Sequence, residues 1–115
     1  MLIYEYTLRA KIPIPKGEKK MPAKRKKDPN VDFLYECILQ LQSKQECEDF
    51  FTDLCTMKEL SAIAQRIVVA KMLSEGKVYK DIVEQTGAST ATISRVNRSL
   101  MFGESGYDTI FERLK

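Results

Sequence analysis

Between Lys80 and Arg98 the chain gathers short hydroxyl side chains and cations: Lys80, then Ser89, Thr90, Ala91, Thr92, Ser94, Arg95 and Arg98. Hydroxyls both donate and accept hydrogen bonds, and Lys and Arg pair with phosphate oxygens. The chemistry on offer is recognition of a polyanion, not the making or breaking of bonds. The chain contains no His, and so lacks the commonest general base. It has no Gly-rich phosphate loop and no nucleophile motif, which argues against an enzyme. Cys37, Cys47 and Cys55 are odd in number and form no C-x-x-C pair. That pattern speaks against a zinc site or a disulfide framework and predicts three small core residues in a reducing compartment. Neither a metal nor a cofactor is expected.

The stretch Lys77–Leu100 reads as the frame that positions these groups: a short helix, a tight turn and a second helix. Ile82 and Val83 make the first helix apolar on one side. Gly87 ends it, because the residue just past a helix often needs a left-handed backbone that only Gly adopts cheaply. Ser89 caps the next helix, its hydroxyl accepting a backbone amide left over at the helix start. Ile93 and Val96, three apart, face back toward the first helix. This is the pattern of a helix-turn-helix over residues 78–99, whose second helix can enter a DNA major groove. Two helices joined by a Gly turn also occur in all-α proteins that never touch nucleic acid. Three features favour DNA here: the turn is very short, small residues open the second helix, and the strand-favouring residues expected of other folds are absent; Lys77, Lys80, Arg95 and Arg98 also outnumber Asp81 and Glu84.

Around this frame the sequence predicts further helices. Val31, Leu34, Tyr35, Ile38, Leu39 and Leu41 recur at helical spacing over residues 30–42. Ser43-x-x-Glu46 and Thr56-x-x-Glu59 are capping boxes that open a short helix through Phe50 and Phe51 and a long one over residues 57–75. Leu60, Ile63, Ala64, Ile67, Val68, Ala70 and Met72 nearly surround the long helix. A helix apolar on most sides is buried on most sides, and in a chain of 115 residues that implies a partner subunit. Gly76 ends the long helix. Gly103 and Gly106 bracket a turn, and Tyr107, Ile110, Phe111 and Leu114 form a last amphipathic helix. The expected fold is all-α with about six helices in one domain, residues 30–115, behind an N-terminal tail of residues 1–29.

The net charge of +3 is unevenly spread. Residues 1–27 hold nine basic and two acidic side chains, a net of +7; the remainder holds ten basic and fourteen acidic, a net of −4. Lys24–Lys27 reads either as a basic arm along DNA or as a solvated terminus. The string Lys16-Gly17-Glu18-Lys19-Lys20-Met21 can be encoded by a purine-rich stretch of the kind that precedes a bacterial start codon. Residues 1–20 are therefore either a leader ahead of a start at Met21 or an arm extended by Pro13 and Pro15. No run is apolar enough to span a membrane and no signal-peptide pattern is present, so a cytoplasmic location is expected.

The segment Thr86-Gly87-Ala88-Ser89-Thr90-Ala91-Thr92-Ile93-Ser94-Arg95, with Asn97 and Ser99-Leu100 after it, resembles the Trp repressor superfamily. The capping Thr56, Gln65-Arg66 and the Glu75-Gly76 ending also fit. The closing Gly106-Tyr107-Asp108-Thr109-Ile110-Phe111-Glu112-Arg113-Leu114 is similar to the small Trp-repressor-like YerC/YecD branch. The resemblance covers about residues 30–115. It implies an intertwined helical homodimer that binds operator DNA and represses transcription, with the N-terminal helices of two chains interlocked around the long helix. It also implies a pocket for L-tryptophan between two arginines: Arg66 and Arg95 fall at the matching positions, and Thr56 and Ser99 at polar pocket positions. Two residues depart from the pattern. Val96 stands where the Trp repressor has a glycine beside the ligand, and Asp53 stands where it has an apolar residue next to the ligand amine. A branched side chain narrows the slot and a buried carboxylate alters its charge, so no effector is expected, with tryptophan or another small molecule as the alternatives.

The preferred reading is a dimeric, sequence-specific regulator that binds double-stranded DNA. Residues 89–99 form the groove helix, with Thr90, Ala91, Thr92 and Ser94 at base edges, Arg95 near the groove rim, and Lys80 and Arg98 at phosphates. The alternative is a DNA-independent helical module that docks on another protein.

Overall fold

The computed structural model describes residues 26–115; the leader, the start at Met21 and the Lys24–Arg25 part of the basic arm lie outside the described residues. Six helices and no strand occur among the described residues, the all-α class that the sequence predicts. They are α1 (Pro29–Ile38), α2 (Lys44–Leu54), α3 (Met57–Ser74), α4 (Tyr79–Thr86), α5 (Thr90–Phe102) and α6 (Gly106–Arg113). The described residues fall into two compact units, 26–62 and 63–115, divided within α3.

In the first unit each helix begins on a side-chain cap. The Asp28 carboxylate accepts the Asn30 amide at 2.9 Å, with Pro29 in the first turn, where its missing N–H leaves no bond unmade. Ser43 Oγ accepts the Glu46 amide at 3.1 Å, while Glu46 reaches back to the amide of Gln42 at 2.9 Å. Thr56 and Glu59 complete a reciprocal box: Thr56 Oγ1 accepts the Glu59 amide at 3.1 Å, and Glu59 accepts the Thr56 amide at 2.9 Å. α1 stops at Ile38, short of the expected residue 42. Its end tightens as the amides of Gln40 and Leu41 bond to the carbonyls of Cys37 and Ile38 three residues back. Ser43 must then take an extended backbone, φ −151°, to cap α2. The apolar spacing runs on to Leu41 although the helix does not.

No residue of α1 or α2 is buried. Phe33, Leu39 and Met57 are 66%, 79% and 82% exposed. The expectation that the cysteines are small core residues fails within the chain. Cys37 and Cys55 are half-buried and Cys47 is exposed, because Cys47 sits among Gln45, Glu46, Glu48 and Asp49 and these two short helices enclose no interior of their own.

The second unit has a true core. Val69, Ala70 and Met72 of α3 pack with Ile82 of α4, Ala88 of the turn, Ile93, Val96 and Leu100 of α5, and Phe111 of α6. Tyr107 stacks on Phe111 with ring centroids 6.0 Å apart, and Lys71 Nζ sits 5.2 Å from the Phe111 centroid on the way to an ion pair with Glu75. α3 closes in a Schellman motif: Gly76 N–H bonds to Leu73 O and Lys77 N–H to Met72 O, both at 3.0 Å. Only one side of α3 is covered. Ile63, Ile67 and Val68 remain exposed, so the burial on most sides expected from its composition is not met within one chain. At the α5–α6 junction the left-handed residue is Ser105, φ 66°, and not a glycine. Gly103 serves a different purpose there, since a Cβ on it would lie 2.5 Å from the Ser99 carbonyl oxygen.

Candidate nucleic-acid interface

α4, its turn and α5 are built from the residues upward by three local devices. Ile82 is fully buried and Val83 half-buried, so α4 lies with one face on the core. Gly87 then takes the left-handed conformation, φ 73°, and its amide bonds to Val83 O at 2.9 Å. A side chain at that backbone angle is strained, which is why the turn needs glycine. Ser89 restarts the chain. Its Oγ accepts the Thr92 amide at 3.1 Å and donates to Thr92 Oγ1 at the same distance, so one hydroxyl both caps α5 and holds its third residue.

The turn is also held from within. Thr86 Oγ1 donates to Ile82 O at 2.7 Å and accepts the Ala88 amide at 3.1 Å. The Thr86 carbonyl accepts Gln65 Nε2 of α3 at 3.0 Å. Sequence reasoning placed Gln65 and Thr86 in the family-like motif and gave them no task. A threonine just ahead of Gly87 is a signal for such a back-bond, whereas the reach from Gln65 across 21 positions leaves no local trace.

α5 sorts its side chains cleanly. Ile93, Val96 and Leu100, at intervals of three and four, are buried. Thr90, Ala91, Ser94, Arg95 and Arg98 are exposed and fall on one continuous outward stripe at helical spacing. Ser89 at the cap and Lys80 on α4 are exposed as well. Thr92 is half-buried, with its hydroxyl already engaged by Ser89, so it stands apart from the other seven residues expected to meet DNA. The outward stripe carries small groups nearest the helix start and cations beyond them, and nothing acidic. It suits close approach to an edge lined with acceptors and flanked by phosphate.

The four residues matched to a ligand pocket are all exposed. Thr56 lies in the unit 26–62, where its hydroxyl accepts the Glu59 amide. Arg66, Arg95 and Ser99 lie in the unit 63–115 and share no hydrogen bond with one another; the Ser99 carbonyl accepts the Gly103 amide at 2.9 Å. Val96 is 2% exposed and belongs to the core itself. Asp53 is exposed on α2 within the single chain. Among the described residues no group of three or more His, Cys, Asp or Glu is placed to hold a metal ion. No described helix is long and apolar enough to cross a membrane.

These features can be set beside known proteins. The family model described as "Trp repressor protein" matches residues 29–115. The uncharacterized protein YerC of Bacillus subtilis (strain 168) is 49% identical over 85 residues, spanning 74% of this chain and 82% of its own length. The crystal structure of a TrpR-like protein from Eubacterium eligens ATCC 27750 is 56% identical, with a TM-score of 0.74 over 76% of this chain and 91% of that one. A Trp repressor candidate from Staphylococcus aureus is 45% identical, with a TM-score of 0.73 over 76% of this chain and 88% of that one. The fold is that of DNA-binding regulators with a helix-turn-helix, and the chain belongs to the Trp repressor family.

Proposed function

We propose that the chain is a sequence-specific transcriptional repressor that acts as a homodimer on double-stranded DNA in the bacterial cytoplasm. The observation that carries this reading is the division of α5 into a buried face, Ile93, Val96 and Leu100, and an exposed stripe of Thr90, Ala91, Ser94, Arg95 and Arg98. In the complex, Thr90, Ala91 and Ser94 approach base edges and thymine methyls, Arg95 lies at the groove rim, and Lys80 and Arg98 meet phosphates. Ser89 presents the start of the helix and Thr92 supports it through the cap. The exposed apolar residues of α1 and of α3 supply the surface for a second copy of the chain, interlocked as in the family. Arg66, Thr56 and Ser99 hold no obligatory effector in this reading, and no cofactor or metal takes part.

Selection from a random DNA pool tests it. One family of sites should be enriched, and binding should weaken steeply with salt as phosphate counterions are released. Lys80→Gln should weaken binding to all sequences alike and lower the salt slope by about one for each phosphate that it leaves unneutralised. A pool that yields no enriched sequence, with no measurable affinity for any duplex, assigns the helical dimer to protein docking instead.

A further inference from the structure

We infer that Gln65 is the positioning residue of the reading head: through its hydrogen bond to the Thr86 carbonyl it fixes the turn that aims α5 at DNA. The inference rests on the DNA-binding reading above and adds to it the device that orients the groove helix.

Helix ends leave carbonyls without intrahelical partners. Val83 O is taken by the Gly87 amide, and Ile82 O accepts the Thr86 hydroxyl. Thr86 O is different. Gly87 swings the chain into the left-handed region and Ser89 is already extended, so the backbone turns away from this carbonyl. The donor comes from α3, where Gln65 Nε2 lies 3.0 Å away in a half-buried setting. Gln65 sits beside Arg66 and near Ile63, Ala64, Ile67 and Val68, so it brings an amide to a mostly apolar helix.

Thr86 thereby becomes the meeting point of three elements. Its carbonyl is tied to α3, and its hydroxyl to α4 and to the Ala88 amide of the turn. Ala88 precedes Ser89, which holds Thr92 and so the first turn of α5. A continuous polar path thus runs from α3 to the tip that meets the groove. Ile82, Ala88, Ile93 and Val96 press α4 and α5 onto the core, but apolar packing has no preferred direction along a helix axis. A hydrogen bond is directional, and it sets where along that packing the turn comes to rest. Precision matters because Ser89, Thr90, Ala91 and Ser94 are short. They reach base edges only when the helix start is placed correctly, and the protein places it with its own atoms.

The test uses the full chain and the site enriched from a random pool. Gln65→Met keeps the length of the side chain and removes the donor. Thr86→Val keeps the carbonyl and removes the hydroxyl link to Ala88. Each should weaken binding roughly tenfold, as expected for losing one such bond in each of two protomers. The salt slope and the dimer mass should stay unchanged. Amide exchange should quicken at Ala88, Ser89 and Thr92 and stay constant at Val69 and Ile93. The double variant should bind no worse than either single one, since both cut the same path. Parental affinity in Gln65→Met overturns the inference. Loss of affinity with exchange quickened throughout the domain, or with loss of the dimer, also overturns it, because Gln65 is then a support of the fold. If the parent protein selects no DNA, the DNA-binding reading falls by itself. Exchange at Ala88 and Ser89 in Gln65→Met then still decides whether Gln65 holds the turn.

Discussion

Ser94 and Thr92 lie two positions apart on α5, and the structure gives them different surroundings. Ser94 is exposed in the middle of the outward stripe, whereas Thr92 is half-buried and accepts the Ser89 hydroxyl. Ser94→Glu should therefore act on DNA alone. A carboxylate there faces phosphates and base acceptors, and like-charge juxtapositions of this kind cost enough to lower affinity by about a hundredfold or more. Stability should change by no more than about 0.5 kcal/mol, as for other exposed substitutions. Operator binding together with a denaturation curve checks both halves, and retained binding would displace the groove helix from residues 89–99. Thr92→Glu should lose stability as well, because it disturbs the cap. The composition of the site was legible in the sequence, since small and basic residues between Gly87 and Arg98 mark the stripe by type and spacing. The support behind it was not. Gln65 and Thr86 meet through a backbone carbonyl, and a backbone partner has no residue type to be recognised by.

Element boundaries follow the same division between what is local and what is not. Ser43, Thr56 and Ser89 cap where their spacing predicts, and Gly76 and Gly87 end α3 and α4, because capping is decided within four residues. α1 defeats the spacing argument: Leu39 and Leu41 continue its apolar pattern, but the chain must leave the helix to give Ser43 its extended backbone. The turn between α5 and α6 is where sequence suggests, yet its glycines do not take the left-handed angle; Ser105 does. Gly103 is required by proximity. Replacing it with alanine would set a methyl 2.5 Å from Ser99 O, a backbone atom of α5 that cannot swing aside. Gly103→Ala should lower unfolding stability by about 1–3 kcal/mol, in the range of other overpacked sites. Its effect on DNA affinity should be small, because Gly103 lies at the far end of α5 from Ser89. Chemical denaturation checks the first point and titration of the selected site the second.

At the scale of the whole molecule, a second copy and the lack of an effector are both expected from where the apolar atoms lie. α1 and α2 bury no residue within the chain, and helices of 10 and 11 residues have little stability without tertiary packing. With Ile63, Ile67 and Val68 also exposed on α3, folding and dimerisation should be one event. The melting temperature should then rise with protein concentration; a concentration-independent melt with a monomer mass would refute this. Val96 is the residue that bears on a ligand. In the Trp repressor that the chain resembles, the effector fills a slot beside the groove helix and sets the separation of two reading heads, which must be about 34–36 Å to enter successive grooves. Here the position matched to the Trp repressor's glycine holds a valine that is 2% exposed and packed in the core with Ile82, Ile93 and Leu100. A branched side chain at this position is expected to narrow such a slot, and the Gln65–Thr86 bond ties the turn to α3. DNA binding should therefore be constitutive, with control lying in expression or in a partner. Calorimetry with L-tryptophan should show no heat, and its addition should leave operator affinity unchanged. Micromolar binding with tryptophan-dependent affinity would overturn this. Val96→Gly decides the cause: if it creates tryptophan binding, size excludes the ligand. If it does not and Asp53→Leu does, the excluding factor is charge, even though Asp53 is solvated in the single chain.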